Sequence, residues 1–149
     1  MPDDFAKTAE RMMFDARTLR QAGAHRNACY LAGYVVECTL KVLLEQEGLT
    51  PEHTHDLESL HDEVAQLLLL GNTVVARYGD PASLAPTLLQ QIAPPKQRKG
   101  RSPRYFCHWD PEHRYDGSRW DSEPMSKTYL READKSIDVI IQMTIDGVL

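Results

Sequence analysis

Apolar positions recur every three or four residues through most of the chain and mark out helices. Phe5, Ala9, Met12, Ala16 and Leu19 keep this spacing, so residues 3 to 22 read as a first helix. Asp3 and Asp4 suit its positive N-terminal end, and Gly23 stops it. A second helix runs from about Arg26 to Glu47, ended by Gly48, with Thr50-Pro51 opening the next connection. Two long helices joined by so short a loop lie antiparallel, as an αα-hairpin. Ala28 and Ala32, with Gly33 beside them, let a neighbouring helix approach closely. A third helix starts near Thr54 or Asp56, either of which can cap it. It carries Leu57, Leu60, Val64, Leu67 and Leu68 to a stop at Gly71-Asn72. Val74 to Tyr78 precedes a turn signal at Gly79-Asp80-Pro81, and Ser83 to Ile92 suits a short helix. The last helix spans about Glu123 to Asp146, with Leu130, Ala133, Ile137, Ile140 and Thr144 on one face. No segment alternates as a strand does. The expected fold is a single all-α domain over residues 1–149, a four- to five-helix up-and-down bundle.

Within the second helix, Ala28 to Leu44 is almost wholly apolar yet holds Glu37 and Lys41. Steps of three or four residues from Arg26 reach Tyr30, Tyr34, Glu37, Lys41 and Glu45, a single polar-aromatic stripe. Such a stripe suits a helix packed on most sides that turns one face to a cleft or a partner. It equally suits a solvent face bearing a Glu37–Lys41 pair. In the interior or at a subunit cleft, Glu37 requires a cation from Lys41, Arg26 or an arginine of the basic loop, because an unpaired buried carboxylate is costly.

That basic loop dominates the charge distribution. The chain has a net charge of -5, but residues 96 to 119 hold seven of its 17 basic residues and three acids, so the segment is +4 and the remainder -9. An acidic body with one basic segment argues against non-specific coating of nucleic acid and allows a local anion site. Residues 94 to 124 also carry five prolines and two tryptophans. The aromatics favour an extended ordered loop, and a loop of that length usually has a function.

The 149 residues fit one domain, with 42% hydrophobic and 26% charged residues in ordinary globular balance. No apolar run approaches the length a bilayer requires, and no basic segment precedes an apolar one near Met1, which argues against a membrane span and a signal peptide. Of three cysteines, Cys29 and Cys38 sit in the apolar helix and read as small buried hydrophobes in a reducing cytoplasm. His53, His55, Asp56 and His61 do not share a helical face, and helix-start chemistry accounts for Thr54 and Asp56, so no metal or cofactor is expected.

Tyr30-Leu-Ala-Gly-Tyr-Val-Val-Glu-Cys-Thr-Leu-Lys41, then His55-Asp-Leu57, then Trp109-Asp-Pro-Glu-His-Arg-Tyr115 and a closing helix together resemble the HEPN domain family. The family comprises small helical proteins of prokaryotic conflict and toxin–antitoxin systems, often beside nucleotidyltransferases. The resemblance implies a HEPN-like bundle, a homodimer, a role near RNA or nucleotides and a nucleotidyltransferase-type partner protein. Active members are metal-independent endoribonucleases that carry an Arg followed, after four to six residues, by a His. An imidazole can take the ribose 2′-hydroxyl proton while a guanidinium grips the phosphate. Here Arg101 precedes His108 with six residues between, Arg104 with three, and Arg20 precedes His25 with four. None of these arginines is followed by Asn, Asp or His, and Pro103 interrupts the Arg101–His108 span, so the motif is degenerate.

The expected catalytic set is therefore His108 with Arg101 or Arg104, and the expected nucleotide- or RNA-binding set is Arg114, Tyr115, Tyr34, Glu37 and Lys41. Three functions stay open: an RNA- or nucleotide-associated module, an active endoribonuclease, and a non-catalytic dimeric protein-interaction domain.

Overall fold

A computed structural model of the chain describes residues 3–51, 53–71, 73–78, 84–92, 106–107, 109–115 and 120–149. Among the described residues five α-helices form its body: α1 (Phe5–Gln21), α2 (His25–Gln46), α3 (Leu57–Leu69), α4 (Thr73–Tyr78) and α5 (Glu123–Ile145). Caps set the starts. The side chains of Asp4, Asp56 and Ser122 accept backbone N–H groups in the first turns of α1, α3 and α5. Gly23, at φ 78°, makes the reversal that folds α1 back on α2.

The centre of the bundle is α2, which packs against α1, α5 and α3. Fourteen of its residues are buried, from Ala28 to Leu44, and they meet Ala9, Met13 and Ala16 of α1 and Tyr129, Ala133, Ile140 and Met143 of α5. Burial pushes the thiols of Cys29 and Cys38 up to about 12. By length and composition α2 would cross a membrane, which the run-length reading did not anticipate. Yet 78% of that window is buried inside the bundle, and it contains a Glu–Lys pair, as suits a core helix.

Ion pairs fix the ends. Arg26 grips Asp121 with Nε and Nη2 at 3.0 and 2.7 Å, and His25 Nδ1 meets Ser126 Oγ at 2.9 Å, so the starts of α2 and α5 lie together. At the opposite end, Glu47 Oε1 accepts the N–H groups of Val74 and Val75 and so anchors the start of α4 to the end of α2. Tyr78 and Arg77 then reach Asp146 just beyond α5.

Three expectations differ in detail. Met13 and Met143 point into the core where Met12 and Thr144 were expected, because adjacent apolar residues leave the phase of a helix ambiguous by one position. Leu84 is helical, but Ala85 to Leu89 bends and turns instead of continuing a helix to Ile92. Pro86 lacks an N–H, and the N–H groups of Thr87 and Leu88 bond to the buried Glu132 carboxylate of α5. Finally, two-residue strands β1 (Gln91–Ile92) and β2 (Phe106–Cys107) pair antiparallel, too short for alternation to reveal.

Candidate nucleic-acid interface

The outer half of the polar stripe on α2 is built by a segment far away in sequence. Asp110 starts a 3-10 turn over Pro111–Tyr115: its side chain accepts the Glu112 N–H at 2.8 Å and its carbonyl the His113 N–H. Just before it, Trp109 is fully buried. Its Nε1 donates to the Cys29 carbonyl at 3.1 Å, and its ring lies flat on Gly33, where an added Cβ would come within 1.8 Å of the indole. Glycine at position 33 thus makes room for a tryptophan, not for a helix. Trp120 stacks on Trp109 at 6.1 Å with 8° between planes, at a backbone φ of 65°, a left-handed conformation costly for a large side chain.

This docking delivers Arg114. Its Nη1 donates to Tyr30 Oη at 2.8 Å, its Nη2 bonds to Tyr115 Oη, and its guanidinium lies over both rings, 5.4 and 4.6 Å from their centroids. No carboxylate among the described residues pairs with it, whereas Arg17, Arg26 and Arg77 each pair with an aspartate. Tyr115 is 76% exposed. The result is a cation held open by aromatic rings, with an exposed aromatic beside it.

Tyr30 Oη also meets Tyr34 Oη at 2.9 Å. One phenolic hydrogen serves that bond, and the other is left for a ligand or water. Burial, then the Tyr30 hydrogen bond, hold the Tyr34 phenol well above its ordinary range. Tyr34 makes T-shaped contacts with the His55 ring and with Trp109, at 5.2 and 5.4 Å between centroids.

Deeper along the stripe, Glu37 and Lys41 are buried and bonded at 2.8 Å, with the Lys41 ammonium 5.2 Å above the Phe5 ring. Both oxygens of Glu37 also contact His55 Nδ1, at 3.0 and 3.1 Å. An ionised carboxylate only accepts, so Nδ1 carries a hydrogen and donates to Glu37. Among the described residues, no group of three His, Cys, Asp or Glu is placed to hold a metal.

The HEPN domain family model matches residues 3–83. The chain belongs to the HEPN domain family. No curated protein and no solved structure matches it. A HEPN domain is a helical module often found in RNA-related toxin–antitoxin or defence systems. The matched span covers α1 to α4 and so contains Tyr30, Tyr34, Glu37, Lys41 and His55. Arg114, Tyr115 and both tryptophans lie beyond it, so in this HEPN protein the site joins matched residues to ones outside the match.

Of the residues singled out in the sequence, Tyr34, Arg114 and Tyr115 share one aromatic strip through Tyr30. Glu37 and Lys41 neutralise one another below the surface, and His55 extends that pair outward. Arg101, Arg104 and His108 lie outside the described residues. Trp109 and His55 were named in the sequence, but their contacts with α2 were not anticipated. They approach α2 from segments with no helical period, and only the order of the Tyr-Leu-Ala-Gly-Tyr, His-Asp-Leu and Trp-Asp-Pro words hinted at their association.

Proposed function

We propose that this HEPN domain is an RNA- or nucleotide-binding module of a prokaryotic toxin–antitoxin or defence system, acting in the cytoplasm. The observation that carries the reading is Arg114, an exposed guanidinium lying over two tyrosine rings that pairs with no carboxylate among the described residues. Two of its five N–H groups hold tyrosine hydroxyls, and the guanidinium fork suits phosphate oxygens with the others. Tyr115 supplies a ring on which a base can stack, an interaction that tolerates any sequence. A stacking ring beside one guanidinium fits a single-stranded segment or a nucleotide better than a duplex.

The module works as a homodimer beside a nucleotidyltransferase-type partner protein. Support for dimerisation comes from α1 and α5. Phe14 of α1 and Ile141 and Ile145 of α5 are exposed, on two helices that the Arg17–Asp134 bridge joins. The test is fluorescence anisotropy with a short labelled single-stranded RNA. Arg114→Ala weakens binding about 10- to 100-fold, the equivalent of one charge-assisted hydrogen-bond pair, and Tyr115→Ala weakens it by about 5-fold or more. Affinity unchanged by both substitutions removes this strip from the function.

A further inference from the structure

The segment that carries Arg114 is held to the bundle at few points. From Trp109 to Tyr115 the buried side chain is that of Trp109, and the 3-10 turn that follows it buries none. Trp109 donates its indole N–H to the Cys29 carbonyl at 3.1 Å and its backbone N–H to the Leu88 carbonyl at 3.3 Å. By contrast, α2 beneath it has fourteen buried residues, so very different amounts of packing hold the two parts. The chain on either side is fixed. Ahead of the segment, β2 pairs with β1, and behind it both Nε and Nη2 of Arg26 grip Asp121, with Ser122 capping α5. Between that second anchor and the segment lies Trp120, buried at a left-handed φ of 65°. A strained backbone position at the edge of a thinly packed segment favours release, and the stacked indoles oppose it.

We propose that Trp109–Tyr115 is a strap that lifts from α2 and closes on it again while the helices stay folded, with Trp120 as its hinge. Lifting relaxes the Trp120 backbone and withdraws the Trp109 indole from Gly33. It also takes Arg114 off Tyr30, because Arg114 belongs to the turn that Trp109 docks. Tyr30 and Tyr34 remain on α2, so the strip has its cation only in the closed state. The consequence for binding rests on the RNA- or nucleotide-binding reading. A ligand that touches Arg114 and the α2 tyrosines together binds the closed state alone. Its apparent affinity is the closed-state affinity multiplied by the closed fraction, and once bound it holds the strap shut.

Hydrogen exchange on the full chain, followed by NMR, tests this through the Trp109 indole N–H, whose acceptor lies on α2. Its protection factor should lie about 100-fold or more below those of the Val36 and Leu40 amides in the core of α2. It should also stay constant in low urea while theirs fall, because lifting the strap exposes little surface. Equal protection with the same urea dependence means that the strap leaves only when the whole domain unfolds, and overturns the proposal. Trp120→Gly and Trp120→Ala both lose the indole, but glycine accepts φ 65° without strain. The glycine variant should protect the Trp109 indole N–H about 3- to 10-fold better than the alanine variant, and equal protection removes Trp120 as the hinge. A short single-stranded RNA at about 100 times its Kd should raise Trp109 protection about 100-fold in the wild type and leave it unchanged in Arg114→Ala. RNA that binds through Arg114 without slowing Trp109 exchange overturns the coupling of strap to site. RNA that does not bind at all removes the binding module, and the comparison of Trp109 with the α2 amides still decides the strap.

Discussion

Gly33→Ala is expected to destabilise the protein, although in a helix interior the same change ordinarily stabilises by about 1 kcal/mol. The reason is the Trp109 indole, whose atoms lie 1.8 to 2.2 Å from where the new Cβ would sit. Those atoms belong to a rigid ring packed between the α2 backbone and Trp120, so no small rotation relieves the overlap. Trp109 must leave its place and give up its burial and its bond to the Cys29 carbonyl. Emptying a buried aromatic site costs about 3–5 kcal/mol, so after the helix-propensity gain the net loss is about 2–4 kcal/mol. That corresponds to a fall in Tm of about 5–15 °C for a domain of this size. Urea denaturation followed by tryptophan fluorescence measures the stability, and a red-shifted native spectrum reports the exposed indole. Arg114 rides on the same segment, so RNA affinity falls as well. A double-mutant cycle sharpens the test: in a Trp109→Ala background, Gly33→Ala should turn stabilising. A Gly33→Ala protein at least as stable as the wild type, with an unshifted spectrum, refutes the packing argument.

Glu37→Leu strands the Lys41 ammonium in the core and is expected to cost about 3–5 kcal/mol in urea denaturation, while Glu37→Leu with Lys41→Met recovers most of that loss. Equal losses in the single and double variants would mean the pair is not the source. Asp146 is held below its ordinary value of 3.8, first by the Tyr78 hydroxyl and then by Gln142 and Arg77. Its contribution to stability is therefore complete above that value and disappears as pH falls below it, so Asp146→Asn should flatten the acid limb of the Tm–pH curve. An acid limb identical in the two proteins would dismiss Asp146 as a link between α4 and α5. Light scattering should give twice the 16.9 kDa chain mass, reduced to one chain by Phe14→Glu with Ile141→Lys. A wild-type monomer at micromolar concentration counts against the dimer.

The parts of the fold written in short-range pattern were legible in the sequence. The 3.6-residue period located α1, α2, α3 and α5 to within a few residues, and Asp56 and Gly23 marked their boundaries through local backbone chemistry. The stripe from Arg26 to Lys41 was legible for the same reason, because residues three or four apart must share a helix face. Its meaning was not. Whether Glu37 lay in solvent or in the core depended on His55, 18 residues away across an irregular turn, and on how closely α1 covers Lys41. The role of Gly33 depended on Trp109, reached through a segment without periodicity. Local rules place side chains on an element, whereas contacts between an element and an irregular segment depend on the global packing. The candidate site is made almost wholly of the second kind.

The salt dependence of RNA affinity bears most directly on the central claim, that Arg114 is a phosphate grip. Affinity for a short single-stranded RNA, measured by anisotropy from low to physiological salt, gives a slope of log affinity against log salt. Each phosphate contact contributes about -0.7 to that slope for a single strand. Arg114→Ala should therefore bind more weakly and with a slope shallower by about 0.7, while Arg114→Lys keeps the slope and loses part of the affinity. Wild-type and Arg114→Ala proteins with the same slope and the same affinity would contradict it.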